Sequence, residues 1–251
     1  MASRRGQVLD GVLLLDKPQG LSSNHALQRA KRTLDAKKAG HTGTLDPFAT
    51  GLLVCCLGRA TKIATTMLNA DKSYLATLKF GAETDTGDLT GQAVFQALGS
   101  FRGVSREDLE RALMGFRGES DQIPPMYSAL KRDGKPLYHY ARQGIELERA
   151  ARRITIHELE VRRFDGMQAE ILVSCSKGTY VRTLAQDIGR RLGCGAHLSA
   201  LRRTRVGPFG LAQAVALEAL QAMPSPRSML IELDALPAGL LPAAPQKKDQ
   251  L

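Results

Sequence analysis

No part of this sequence limits the fold more than GHTGTLDPFATGLLVCCLG, residues 40–58. Its second half is a continuous apolar run too short to span a membrane, and such a run reads as buried. Its first half crowds glycine, threonine and proline around one histidine, His41, and one aspartate, Asp46. That mixture forms turns rather than regular helix or strand. Two ionisable residues therefore stand at the mouth of a buried segment. Asp46 directly precedes Pro47, which pushes its backbone out of the helical region, so its carboxylate can be projected at a fixed angle. Two plainer alternatives stand beside that reading. Asp46 can cap a helix beginning at Pro47, and His41 can be a loop histidine satisfied by local hydrogen bonds.

The rest of the chain supplies the strands and helices that such a segment needs. Val12 to Leu15 is a second short apolar run, ended by the turn Lys17-Pro18-Gln19-Gly20. Ser22 or Ser23 can cap a helix through about Thr33, with Ala26, Leu27, Ala30 and Leu34 on one face. SYLATLKFG, residues 73–81, alternates as a half-exposed strand does, TDTGDLTG (84–91) is a loop, and Ser105 with Asp108 forms a capping box for a helix through about Phe116. Residues 153–164 and 169–181 are β-rich runs joined by Asp165-Gly166, a hairpin signal, and TLAQDIGRRLG reads as a helix stopped by Gly193. Helices and strands alternate without a βαβ rhythm, so the expected class is α+β with a mixed sheet flanked by helices. Residues 121–152 are aromatic and basic with weak periodicity, and read as an insertion. The stretch beyond residue 222 is rich in proline, and its polar end, PQKKDQL, is expected to be disordered.

Composition narrows the function. Thirty-five Lys and Arg against twenty-five Asp and Glu leave a net charge of +10, which predicts an anionic partner, nucleic acid first. The start, MASRRGQVLDG, lacks the apolar stretch of a secretory signal, and no apolar run reaches membrane-helix length. The cytoplasm is the expected location. The four cysteines, Cys55, Cys56, Cys175 and Cys194, have neither zinc-site spacing nor the look of a disulfide framework, and the five histidines are scattered, so no metal is implied.

A second cluster, SKGTYVRTLAQDIG, places Tyr180 and Arg182 on one face if the strand runs through them. The arginine can pair with a carboxylate and the ring can pack on a flat ligand; the alternative is a cross-strand aromatic and a surface cation. Tyr74 opens another strand. Two tyrosines, an arginine and an aspartate are what a base-binding catalytic pocket needs, although spacing alone does not bring them together.

Taken in order, LLLDKPQGLSSN, AGHTGTLDPFATGLLVCCLGRATK, KSYLATLKFG, IPPMYSALK and CSKGTYVRTLAQDIG resemble the bacterial TruB family of tRNA pseudouridine synthases, from about residue 8 to residue 210. The resemblance implies the pseudouridine synthase fold, with 121–152 as a thumb on RNA. It puts Asp46 on the family's catalytic aspartate and His41 on the histidine associated with the flipped nucleotide. It also puts Tyr74 on the tyrosine that stacks on the base, Tyr180 on the pocket aromatic, Arg182 on the arginine paired with the aspartate, and Leu201 on a position contacting uracil. Lys17 and Pro18 fall in supporting architecture. The implied reaction converts the T-loop uridine of tRNA, position 55, to pseudouridine by base flipping and an aspartate-dependent break and re-formation of the glycosidic bond. It involves no redox change, so no cofactor is expected.

The partner is the T-arm stem-loop, a membrane is not, and a monomer is expected. Phosphate contacts are expected from Lys131, Arg132, Arg142, Arg152, Arg202 and Arg203. The catalytic domain is expected over 1–215, followed by a helix, linker and tail over 216–251. Family members commonly carry a further RNA-binding domain of the PUA type, and too few residues follow the core to build one. The rival reading is a tRNA-binding or folding factor without essential catalysis, which the presence of Asp46 disfavours.

Overall fold

The computed structural model describes residues 6–99 and 101–240; the disorder expected of PQKKDQL lies outside them. Among the described residues the strands are β1 (Gly11–Lys17), β2 (Ala39–His41), β3 (Thr50–Leu57), β4 (Lys72–Phe80), β5 (Ala82–Thr84), β6 (Ala93–Gln96), β7 (Gly118–Gln122), β8 (Lys131–Arg132), β9 (Lys135–Pro136), β10 (Arg152–Phe164), β11 (Gln168–Cys175), β12 (Ala196–Val206), β13 (Phe209–Gly210), β14 (Val215–Ala216) and β15 (Leu230–Ile231). The helices are α1 (Ser23–Thr33), α2 (Ala64–Asn69), α3 (Arg106–Met114), α4 (Leu137–Ala141), α5 (Val181–Arg191) and α6 (Leu217–Ala222). The class is α+β on a mixed sheet, in which β14 runs parallel to β1 while β1 and β3 are antiparallel. No described helix is long and apolar enough to cross a membrane.

Two compact units divide the chain, Met1–Ala70 with Arg203–Leu251, and Asp71–Arg202. In the first, β1 pairs with β3 from Gly11 opposite Leu57 to Lys17 opposite Gly51. Leu13, Leu15, Leu53, Cys55 and Leu57 are buried with Ala26, Leu27, Ala30 and Leu34 and with Leu217 and Leu220. Their neighbours Val12, Leu14, Leu52, Val54 and Cys56 are buried with Ala60, Ile63, Met67, Val206 and Phe209. Cover on both faces is why LLVCCL is continuously apolar instead of alternating. Each fully buried leucine contributes about 1.5–3 kcal/mol over an exposed one. In the same unit β14 and β15 both pair with β1 and tie residues 215–231 to the N-terminal strands.

The second unit is built on β4, β11, β10 and β7 in that order, with Tyr74 opposite Val173 and Arg152 opposite Gln122. The β10–β11 hairpin turns at Asp165-Gly166 as expected, the Asp165 carboxylate accepting the N–H groups of Met167 and Gln168 at 2.9 and 2.7 Å. Ser105 caps α3 by accepting the Asp108 N–H at 3.1 Å and donating to the Asp108 carboxylate at 2.6 Å. The stretch 121–152 starts with Asp121 and Gln122, which end β7, and closes on Arg152, which opens β10. It holds the β8–β9 hairpin, turned at Asp133 (φ 50) and Gly134 (φ 77), and the short α4.

Candidate active site

In the first unit, α1 begins at Ser23, with Ser22 as its cap accepting the His25 N–H at 3.2 Å. Ser23 is thereby free for another task. Its buried hydroxyl donates to the Leu45 carbonyl at 3.0 Å and accepts the Leu45 N–H at 2.7 Å, fixing the residue before Asp46. The alternative that Asp46 caps a helix at Pro47 is excluded. Asp46 opens a reverse turn closed by the Ala49 N–H on its carbonyl at 3.1 Å, and proline suits the second position of such a turn. The Gly20 N–H donates to the Pro47 carbonyl at 2.8 Å. Asp46 itself is half-buried.

Two buried cations surround this turn. Lys17, 0% exposed, donates to the carbonyls of Pro18 and Leu21 at 2.9 and 2.7 Å. Burial, helped by the Arg203 charge and opposed by the pull of the Asp46 carboxylate, lowers its pKa to about 8. Arg203 corrects an expectation: it makes no phosphate-contacting surface, because its side chain is buried, 2% exposed, and bonded to carbonyls of the first unit. A Cβ added at Gly51 (φ +99) would run into the Arg203 backbone. His41 ends β2 opposite Cys55. Burial, and then Arg203, lower its pKa, and its buried Nδ1 has no hydrogen-bond partner among the described residues.

In the second unit a further expectation is corrected. The strand expected over 169–181 stops at Cys175, and α5 starts at Val181. Tyr180 is the residue before the helix and Arg182 lies in its first turn, so strand alternation does not relate them. Ser176 still bonds β10, its N–H donating to the Thr155 carbonyl at 2.9 Å, and the chain then turns at Lys177 and Gly178, with the Thr179 hydroxyl donating to the Ser176 carbonyl at 3.0 Å. Gln122, 5% exposed, holds Tyr180 by both backbone groups: its Oε1 accepts the Tyr180 N–H at 2.8 Å and its Nε2 donates to the Tyr180 carbonyl at 3.1 Å. Arg182 is also buried and donates to the carbonyls of Thr86 and Tyr127 at 2.8 and 2.6 Å. Its Nε is 3.9 Å from the carboxylate of buried Asp88, which accepts from the Thr86 hydroxyl and from the N–H and hydroxyl of Thr90. Tyr74 is half-buried on β4, and Leu201 is 8% exposed on β12.

Ser23 is expected from the sequence only as a possible helix cap, a role that Ser22 takes, and Gln122 and Asp88 are not singled out. Polar residues that carry backbone far away in the chain have no local signature. Among the basic candidates, Lys131, Arg132, Arg142 and Arg152 are exposed and Arg202 is partly so; Arg142 lies 5.4 Å over the Tyr138 ring. Burial pushes the Cys56 and Cys175 thiols up to about 12 and holds Cys55 higher still, which suits their reading as small apolar residues. Among the described residues no group of three or more His, Cys, Asp or Glu is placed to hold a metal.

A family model described as TruB family pseudouridylate synthase (N terminal domain) matches residues 31–181, and the tRNA pseudouridylate synthase B C-terminal domain matches residues 182–242. The chain belongs to the TruB family. Its members are isomerases that convert uridine to pseudouridine, and so is this protein. It is 71% identical over 243 residues to the tRNA pseudouridine synthase B of Bordetella avium (strain 197N), covering 97% of this chain and 100% of that one. It is 57% identical to that of Aromatoleum aromaticum (strain DSM 19018 / LMG 30748 / EbN1) over 94% of this chain and 80% of the other. Among solved structures, a Cbf5-Nop10-Gar1 complex matches with TM-score 0.67 and 32% identity over 85% of this chain. An H/ACA RNP bound to a substrate RNA containing 2'-deoxyuridine matches with TM-score 0.66 and 26% identity over 90% of it. This chain spans 54% and 59% of those two solved chains.

Proposed function

We propose that the protein isomerises the T-loop uridine of tRNA, position 55, and that Asp46 is its catalytic carboxylate. The observation that carries this reading is the Asp46 turn, a half-buried carboxylate on backbone anchored on both sides, within the stretch matched by the TruB model. The tRNA is proposed from the relatives, which are tRNA pseudouridine synthase B proteins at up to 71% identity. In the reaction the C1'–N1 bond breaks, the uracil turns, and C5 bonds to C1' while its proton is replaced by one on N1. Substrate and product are isomers, and no electrons are gained or lost.

From the family's motif positions, Asp46 acts on the ribose side, as nucleophile or as ribose-directed catalyst. Tyr74 and Tyr180 frame the base, Leu201 contacts the uracil, and Arg182 balances the aspartate's charge. His41 takes the place of the extruded nucleotide, which offsets part of the few kcal/mol that unstacking costs. Lys131, Arg132, Arg142, Arg152 and Arg202 are proposed to meet phosphates. The protein is proposed to act as a monomer in the cytoplasm.

Incubation with unmodified tRNA, followed by mapping of pseudouridine, tests the position: the T-loop uridine is converted, and replacing it by cytidine abolishes product. Conversion at another site instead overturns the T-loop assignment. For His41, the alanine variant is expected to lose more activity on a folded T-arm than on one whose loop tertiary pairing has been removed. Equal losses make His41 a structural residue.

A further inference from the structure

An arginine in the core has a reason to be there. The Arg203 Nε donates to the Leu52 carbonyl at 2.8 Å, Nη2 to Gly43 at 3.1 Å and Nη1 to Thr44 at 3.4 Å. Gly43 and Thr44 lie on the chain entering the Asp46 turn and Leu52 on the chain leaving it, so one rigid guanidinium ties the two arms together. A planar fork with fixed donors suits three carbonyls in a way that a single ammonium does not. Ser23 then holds Leu45 by both backbone groups, Ala49 holds the Asp46 carbonyl, and Gly20 holds that of Pro47. From residue 43 to residue 47, every backbone carbonyl of the turn has a named donor. Arg203 also shares an electrostatic neighbourhood with the carboxylate, since both it and Asp46 act on the Lys17 ammonium.

We propose that Arg203, with Ser23, is a positioning residue for the Asp46 carboxylate. Its guanidinium clasps the two arms of the turn, and the Ser23 hydroxyl fixes the residue before the aspartate. This rests on the reading of Asp46 as the catalytic group. A carboxylate that must meet one sugar carbon gains from such a frame, because small misplacements of a reacting group are expensive in rate.

The test is single-turnover pseudouridine formation on saturating unmodified tRNA by the parent, Arg203→Lys and Ser23→Ala, with amplitude and rate constant read separately and tRNA binding measured alongside. Misplacement of Asp46 lowers the rate constant of the molecules that react, by about tenfold or more for Arg203→Lys and by less for Ser23→Ala, with tRNA affinity close to the parent's. A residue that only supports the fold lowers the amplitude, the fraction of competent molecules, and leaves the rate constant alone; that result overturns the proposal. Should Arg203→Lys fail to fold, Ser23→Ala decides, because it deletes one hydroxyl: a parental rate constant there also overturns the proposal. A parent chain that converts no tRNA overturns the reading of Asp46 and this proposal with it, whereas an active parent with unaltered variants overturns the positioning role alone.

Discussion

The turn carrying Asp46 and the start of α5 carrying Tyr180 and Arg182 use the same device and differ in one respect. In each, a buried side chain from a distant element bonds both the N–H and the C=O of one backbone residue: Ser23 holds Leu45, and Gln122 holds Tyr180. Each is a substitute for a missing sheet or helix partner, where irregular backbone would otherwise leave buried groups unpaired. The difference lies in the ionisable residue. The backbone around Asp46 is anchored by Ser23, Arg203 and the neighbouring amides, whereas Arg182 itself bonds backbone, the Thr86 and Tyr127 carbonyls, and faces Asp88. The Asp46 carboxylate acts in turn on the buried Lys17 ammonium, so its charge bears on the fold as well as on the chemistry.

The widest separation between the two regions is therefore expected from Asp46→Asn and Arg182→Ala. The asparagine variant is expected to lose at least about a thousandfold in single-turnover rate and less stability than the alanine variant, because an amide of nearly the same size stays in place. The alanine variant is expected to lose rate and also about 3–5 kcal/mol of stability in urea, because Asp88 is left buried without its cation. Arg182→Lys is expected to restore part of both, since a point charge cannot reach two carbonyls as a fork does. An Arg182→Ala protein as stable as its parent breaks the contrast.

Gln122→Ala sharpens it. Removing the amide leaves both Tyr180 backbone groups without their partner, at about 1–3 kcal/mol in equilibrium unfolding. A loss below about 0.5 kcal/mol means that water replaces the clamp.

Lys17 gives the first region a pH signature. Its pKa falls from 10.5 to about 8 on folding, so between those values the unfolded chain binds more protons than the folded one, and stability rises with pH. Below about 8 both states are protonated and the penalty of the buried charge is full. Relative to Lys17→Met, the parent is expected to gain on the order of 1 kcal/mol or more between pH 8 and pH 10, read as the difference between their unfolding free energies. A difference that stays flat across this window means that the ammonium is not penalised by burial.

The smallest effects belong to the exposed cations of the second unit. Neutralising Lys131, Arg132, Arg142 or Arg152 singly is expected to weaken RNA binding alike for cognate and unrelated sequences and to flatten the salt dependence by about 1 in slope. Four unaltered slopes reject that surface.

The sequence was most legible where the signal is local. The capping of α1 by Ser22 and of α3 by Ser105, the Asp165-Gly166 turn and the continuous apolar run of β3 all depend on neighbours within a few residues. Arg203 was misread because the carbonyls it serves lie 151 to 160 positions away. One signal could have separated it from Arg202: with period 2 along β12, Leu201 and Arg203 share the buried face and Arg202 does not. Tyr180 and Arg182 were misread because SKGTYV has β-rich composition, while the strand's end is decided by tertiary pairing, β4 and β11 matching only as far as Lys72 opposite Cys175. His41, Asp46 and Tyr74 were placed by motif, which identifies positions without revealing what anchors them.

The most direct test of the whole account is the product itself. Unmodified tRNA is incubated with the parent chain and with Asp46→Asn at concentrations that bind it equally, without added cofactor, and pseudouridine is mapped and counted. One pseudouridine per tRNA, in the T loop, is expected from the parent, and none from the variant. Equal conversion by both proteins, or bound tRNA left unconverted by the parent, contradicts it.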